Sequence, residues 1–150
     1  MATQARLQLV CPHCTATNRV PAERLADAPA CGRCKQKLFT GAPVDLDDAT
    51  FKAVVAGTDV PVVVDFWAPW CGPCRSMAPA YAQAAKVLEP RVRVAKVDTE
   101  RATATAGALS IQSIPTIALF VRGREVARRS GAVGAQALVQ WVQSQLALTA

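Results

Sequence analysis

No stretch of this chain is apolar for long enough to span a bilayer, and its first ten residues lack the features of a secretory leader. Met1-Ala2-Thr3-Gln4-Ala5-Arg6-Leu7-Gln8-Leu9-Val10 has no apolar central run and no small-residue cleavage site. The expectation is a soluble, cytoplasmic protein without a membrane partner. A glycine-rich nucleotide-binding motif is missing too, so no bound dinucleotide is expected. There is no low-complexity tract, and no repeat beyond two paired cysteine motifs. Aromatic residues make up only 5% of the chain, and none precedes Phe39. Residues 1–40 are the basic part, with six Lys/Arg against two Asp/Glu, whereas the rest carries eleven against nine. A basic segment without interleaved aromatics reads as a solvated surface, not a nucleic-acid platform.

What the chain has is 150 residues, 51% of them hydrophobic, enough for one domain with a small appendage. A monomer is expected. It also has six cysteines. In a reducing compartment these point to metal or redox chemistry before structural disulfides.

Four of the six lie in Cys11-Pro12-His13-Cys14 and, after sixteen intervening residues, Cys31-Gly32-Arg33-Cys34. Two Cys-x-x-Cys pairs at this spacing fit the four-cysteine zinc template, each forming a knuckle that brings two sulfurs onto one ion. Pro12 and Gly32 favour the turns. Few large apolar residues accompany them, so a bound Zn²⁺ would supply folding energy that the segment lacks. The expected division is a four-cysteine zinc domain over 1–40, a linker at about 41–43, and a second domain over 41–150. An alternative makes Cys11/Cys14 a second redox pair, although Thr15-Ala16-Thr17-Asn18 is poor helix sequence. Another makes the cluster a redox-labile sensor, and His13 is expected to face solvent.

The remaining pair follows the run Val62-Val63-Val64-Asp65-Phe66-Trp67, which reads as a strand buried on both faces. Ala68-Pro69-Trp70 turns the chain into Cys71-Gly72-Pro73-Cys74, and helix-forming sequence follows. Cys71 is thereby placed at a helix N-terminus, where free N–H groups and the helix dipole favour a thiolate. Cys71 is expected to be the exposed nucleophile and Cys74, one turn inside, the shielded resolving thiol. Pro73 suits the first helical turn, and Pro79 is expected to kink the helix. Asp65 lies in an apolar strand. Burial would raise its pKa and let it exchange a proton with Cys74; the alternative is a strand-end carboxylate bonded to backbone.

Other elements are legible in outline. Val44-Asp45-Leu46 reads as a short strand, and Asp47 as the cap of a helix carrying Phe51, Val54 and Val55 on one face. Residues 91–98 alternate as a strand, 101–109 read as a weak helix, and 114–121 as an apolar strand. Arg122-Gly123-Arg124 turns into an antiparallel return ending at Ser130, and a last helix buries Leu138, Trp141, Val142 and Leu146. Strand–helix alternation closing on a hairpin and a helix predicts an α/β fold with a mixed sheet flanked by helices.

Trp70-Cys71-Gly72-Pro73-Cys74 after a Val-rich strand ending Asp65-Phe66-Trp67 resembles the thioredoxin family, from about Pro43 onward. The resemblance implies the thioredoxin fold and protein-disulfide reduction through Cys71 and Cys74. Disulfide-containing proteins such as reductases and peroxidases would be substrates, and an NADPH-dependent thioredoxin reductase the electron donor. It also implies that Asp65 is the family's buried aspartate, with Lys96 its lysine partner unless that residue simply faces solvent. By the same resemblance Ile114-Pro115 is the cis-proline segment, and Trp70, Gly72, Pro73, Ile114, Pro115, Gly131 and Ala132 line the substrate groove. Leu109-Ser110 and Ser113 depart from the common pattern at the substrate rim. The four-cysteine segment is absent from short thioredoxins and resembles that of the zinc-binding bacterial thioredoxin 2 group, with a zinc-ribbon-like domain. A competing reading from another class is a zinc-dependent client-binding or chaperone module.

Overall fold

The computed structural model describes residues 5–149. Two sheets organise them. The smaller pairs β1 (Arg6–Val10) with β2 (Thr17–Pro21) in antiparallel register, Leu9 opposite Asn18. The larger has five strands in the order β3-β5-β4-β6-β7. Its strands are β3 (Val44–Leu46), β4 (Val62–Trp67), β5 (Arg93–Asp98), β6 (Thr116–Val121) and β7 (Arg124–Ser130). The first three run parallel to one another; β6 is antiparallel to β4, and β7 to β6. Arg122 and Gly123 both have positive φ, 51° and 83°, which suits a two-residue hairpin turn.

β4 is central because both of its faces are apolar. Val62, Val64 and Phe66 pack with Val54 and Val55 of α1 (Asp48–Gly57). Val63 packs on the other face with Tyr81 of α2 (Gly72–Leu88) and Leu138 and Val142 of α4 (Ala135–Thr149). α3 (Thr103–Ala108) lies beside α1. Asp47 caps α1 as its sequence implies: its carboxylate accepts from the Thr50 N–H at 2.8 Å, and the Thr50 hydroxyl accepts from the Asp47 N–H at 2.8 Å. α2 continues without interruption through Pro79. The alternation over 91–98 does not produce one exposed face, because β5 lies inside the sheet; Arg93, Val94, Ala95 and Val97 are all buried.

The N-terminal segment packs against α1 and the residues that lead from it into β4. Gln8 and Asp59 exchange hydrogen bonds at 2.7 Å, from the Gln8 N–H to the Asp59 carboxylate and from the Asp59 N–H to the Gln8 carbonyl. Val10 joins the core of the larger unit, and Val60 joins that of the smaller. At Gly57 a Cβ would come within 2.6 Å of the Val10 side chain, so glycine permits the approach of α1 to β1.

Candidate functional site

Cys71 is the N-cap of α2, in extended conformation, and its Sγ accepts the N–H of Cys74 at 3.2 Å. The two cysteines form a disulfide, with Cα atoms 5.3 Å apart. The strand–turn–helix read from residues 62–74 is what places them. The expected contrast in exposure is small: Cys71 is 4% exposed and Cys74 2%. Cys71 is covered because its Sγ lies 3.9 Å from the Ile114 carbonyl, and Ile114 and Trp67 pack on the pair. The asymmetry therefore lies in position along the helix, not in solvent contact.

The Ile114–Pro115 peptide bond is cis, as the resemblance implied. The Pro115 carbonyl accepts the Gly131 N–H at 2.9 Å, which brings Gly131 and Ala132, both exposed, to the same rim. Gly72 and Pro73 form the first turn of α2. Trp70 is 65% exposed and donates its indole N–H to the Glu100 carboxylate at 2.5 Å. A hollow of about 170 Å³ lies between Trp70, Thr99, Ile111, Gln112, Ser113 and Ile114.

Asp65 is completely buried, and neither carboxylate oxygen has a hydrogen-bond partner among the described residues. The strand-end alternative is thereby overturned: Asp65 pairs within β4, opposite Lys96 on β5 and Ile117 on β6. Burial pushes its carboxyl up to about 7, opposed by the positive charge of Lys96. The Lys96 ammonium sits over the Trp67 ring, 4.4 Å from its centroid, and makes no ion pair with Asp65 among the described residues.

The other four cysteines converge separately. Their sulfurs all lie within 4.8 Å of one another, with Cys11–Cys34 at 3.7 Å and Cys14–Cys31 at 3.6 Å. These match the edge of a tetrahedron with metal–sulfur bonds of about 2.3 Å. The two knuckles are built alike. The residue after each pair, Thr15 or Lys35, has positive φ, and its N–H returns to the first cysteine's carbonyl. N–H groups of His13 and Arg33 point at the sulfurs of Cys11 and Cys31, each at 3.4 Å. Burial pushes the Cys11 thiol up to about 12, while hydrogen bonds from the Cys34 N–H and the Asn18 amide hold Cys31 down to about 6. The four residues are placed to bind one metal ion, and His13 is exposed, outside that set.

Several participants escaped the sequence reading. Tyr81 donates towards both the Val63 and Ala95 carbonyls, at 3.2 and 2.7 Å, tying α2 to β4, which carries Asp65, and to its neighbour β5. Ser113, Thr116 and Ser130 form a hydroxyl cluster beside Pro115, with oxygens 3.1–3.2 Å apart. Glu89 and Arg93 form a buried ion pair at 3.1 Å where the N-terminal segment joins the sheet. The clearest advance signal was Ser113, a departure from the usual rim. Nothing local marks Tyr81 or Arg93.

Two family models cover most of the chain: "Thioredoxin" matches residues 42–144, and "Thioredoxin 2, N-terminal" matches residues 10–36. Thioredoxin C-3 of Corynebacterium nephridii is 46% identical over 138 residues, spanning 92% of this chain and 94% of that protein. Thioredoxin 1 of Nostoc sp. is 43% identical over 105 residues, 70% of this chain and 98% of that one. Among solved structures, chloroplastic thioredoxin z aligns with a TM-score of 0.65 and 28% identity, over 71% of this chain and 96% of that chain. Together with the disulfide at the head of α2, these matches show that the chain belongs to the thioredoxin family of protein-disulfide oxidoreductases, with the N-terminal metal-binding segment of thioredoxin 2.

Proposed function

We propose that Cys71 is the nucleophile of a protein-disulfide reductase and Cys74 its resolving thiol. The observation that carries this reading is the Cys71–Cys74 disulfide on the N-cap of α2, beside the Ile114 carbonyl. In the reduced protein the Cys71 thiolate attacks a substrate disulfide, forming a mixed disulfide and releasing one substrate thiolate. Asp65 takes the proton of Cys74; the new thiolate attacks Cys71 Sγ and expels the second substrate thiolate. Two electrons pass to the substrate, and the Cys71–Cys74 disulfide is left. A carboxyl held up near 7 suits both directions of this transfer. Lys96 sets how far burial raises it.

Substrate would lie along Ile114 and Pro115 as an extended segment. Trp70, Gly72 and Pro73 would flank it on one side, and Gly131 and Ala132 on the other. Disulfide-containing reductases and peroxidases are the expected class of substrate. A cytoplasmic, NADPH-dependent thioredoxin reductase would return the oxidised protein to the dithiol. Zn²⁺ is the ion proposed for Cys11, Cys14, Cys31 and Cys34, supported by the all-sulfur donor set and by the match to a zinc-ribbon model. When bound, it supplies folding energy to a unit with a small core. The proposed units are 1–40 and 41–150, supported by family-model matches on either side of residues 37–41.

The test is capture of the intermediate. Cys74→Ser, incubated with an oxidised protein substrate, should accumulate a reducible adduct that mass spectrometry maps to Cys71. Cys71→Ser should form none. Turnover that survives Cys71→Ser, or adducts only on the four-cysteine cluster, would overturn the assignment.

A further inference from the structure

Arg93 is the largest fully buried side chain among the described residues, and it does not belong to the redox site. It opens β5 in the thioredoxin domain, yet its guanidinium reaches the other unit. One nitrogen donates to the Leu38 carbonyl, and the guanidinium carbon lies 4.2 Å from the centroid of the Phe39 ring. Another nitrogen donates to Glu89 Oε2 at 3.1 Å. That same oxygen takes the Val94 N–H at 3.0 Å, and Glu89 Oε1 takes the Gly41 N–H at 3.1 Å. One buried ion pair thus grips the chain at Leu38, Phe39 and Gly41, where it leaves the metal-binding unit.

Leu38 is not a passive link. Its N–H donates to the Pro29 carbonyl at 2.9 Å, and an isolated bridge pairs Ala30 with Lys37. The Cys31 N–H donates to the Gln36 carbonyl at 2.8 Å. These bonds close the hairpin carrying Cys31 and Cys34, and Leu38 is its last rung. A continuous set of hydrogen bonds therefore runs from the second knuckle through Leu38 and Arg93 to Glu89.

We infer that Arg93, held by Glu89, is a positioning residue for the four-cysteine site, so that metal retention in the N-terminal unit depends on the thioredoxin domain. The inference rests on zinc being the ion bound there. A buried guanidinium leaves its fork only at the cost of an unpaired carbonyl and a buried carboxylate without its counter-charge, so the hairpin end stays fixed while the pair is intact. Groups hydrogen-bonded directly to a metal ligand change affinity on the order of 10–100-fold; Arg93 acts further out, through the hairpin end, so its effect is set at the lower end of that range. Linkage requires the reverse as well: bound zinc must stabilise the thioredoxin domain through the same contacts.

The experiment uses the full-length protein with zinc as the probe. Zinc release into excess chelator is followed with a colorimetric indicator for wild type, Arg93→Met and Arg93→Lys. All three tryptophans, Trp67, Trp70 and Trp141, lie beyond residue 41, so tryptophan fluorescence reports the thermal transition of the thioredoxin domain alone. Release should be about tenfold faster in Arg93→Met. Arg93→Lys keeps the charge but lacks the fork, and should fall between the two while reducing disulfides at the wild-type rate. Zinc removal should lower the fluorescence midpoint in wild type and move it much less in Arg93→Met. A merely destabilising role would lower both midpoints and leave the zinc-dependent shift unchanged. Equal release rates in wild type and Arg93→Lys, or an undiminished zinc-dependent shift in Arg93→Met, would overturn the inference. A wild-type protein that takes up no zinc would overturn the zinc assignment and this inference together.

Discussion

Three Cys-x-x-Cys pairs occur in one chain, and they have two fates. At Cys71/Cys74 the spacer is Gly-Pro and a 17-residue helix follows. At Cys11/Cys14 and Cys31/Cys34 the next residue turns to positive φ, and the chain folds back within two residues. A helix holds two sulfurs on one turn and supplies N–H groups to the first, which favours a disulfide that opens and closes. A knuckle turns both sulfurs and nearby N–H groups towards one point. A second knuckle then completes a tetrahedron. The spacing alone does not choose between these chemistries; the backbone that follows it does.

The sharpest way to break this division is to cross the two sites. Cys71→Ser should lower kcat/KM for insulin disulfide reduction by at least about a thousandfold, because the attacking sulfur is gone, while zinc per chain is unchanged. Cys14→Ser should lose zinc and keep turnover within about twofold, as expected for changes at separate sites. Zinc loss in the first variant, or collapse of turnover in the second, would show the sites to be one functional unit.

Chelation of the intact protein asks the same of stability. Metal removal should make residues up to about 40 sensitive to limited proteolysis, since that unit's buried core is small. The sheet from β3 to β7 should stay resistant at the same temperature. Mass spectrometry of the fragments checks both.

Asp65 sharpens the contrast through pH. Its carboxyl sits at about 7 in the folded protein against an ordinary value of 3.8, so the native state holds a proton that the unfolded chain has lost between these pH values. Stability must therefore fall as pH rises from about 4 to about 7, with the cost fully present above that range. Asp65→Asn removes the cost. It should stabilise the protein at pH 8 by on the order of 4 kcal/mol, and hardly at all at pH 4. Denaturant melts at both pH values test this. The same variant should slow turnover by about 10²-fold and remove the limb of the pH–rate profile near 7. A pH-independent stabilisation would rule out an ionising Asp65.

The smallest effect is expected at the rim. Ser113 bonds to Ser130 beside Pro115, and Ser113→Gly removes that hydroxyl contact. KM for individual protein substrates should change by about two- to fivefold, in directions that differ between substrates, while kcat is preserved. A uniform drop in kcat would instead place Ser113 in the chemistry.

Much of the fold was legible because its signals are local. Val62 to Trp67 announced a strand buried on both faces, Asp47 announced a cap, and Arg122-Gly123 announced a hairpin. The four knuckle cysteines converge as the paired motifs implied, and Cys71 lies at the helix N-terminus that the strand–turn–helix pattern placed there. Exposure was misjudged where it depends on distant chain. Cys71, expected to be exposed, is covered by Ile114, 43 residues on.

The amino-acid sequence by itself determined the two cysteine chemistries, the strand–turn–helix that carries one of them and the carboxylate placed inside an apolar strand, because each depends on neighbours a few residues apart. Only the tertiary structure decided that the Asp65 carboxylate has no hydrogen-bond partner among the described residues, that Tyr81 ties α2 to β4 and β5, and that Arg93 reaches out of the thioredoxin domain to grip Leu38. Those outcomes depend on which surfaces meet across 14 to 55 residues of sequence. No periodicity or motif within one segment reports what a distant segment will bury, satisfy or leave unpaired.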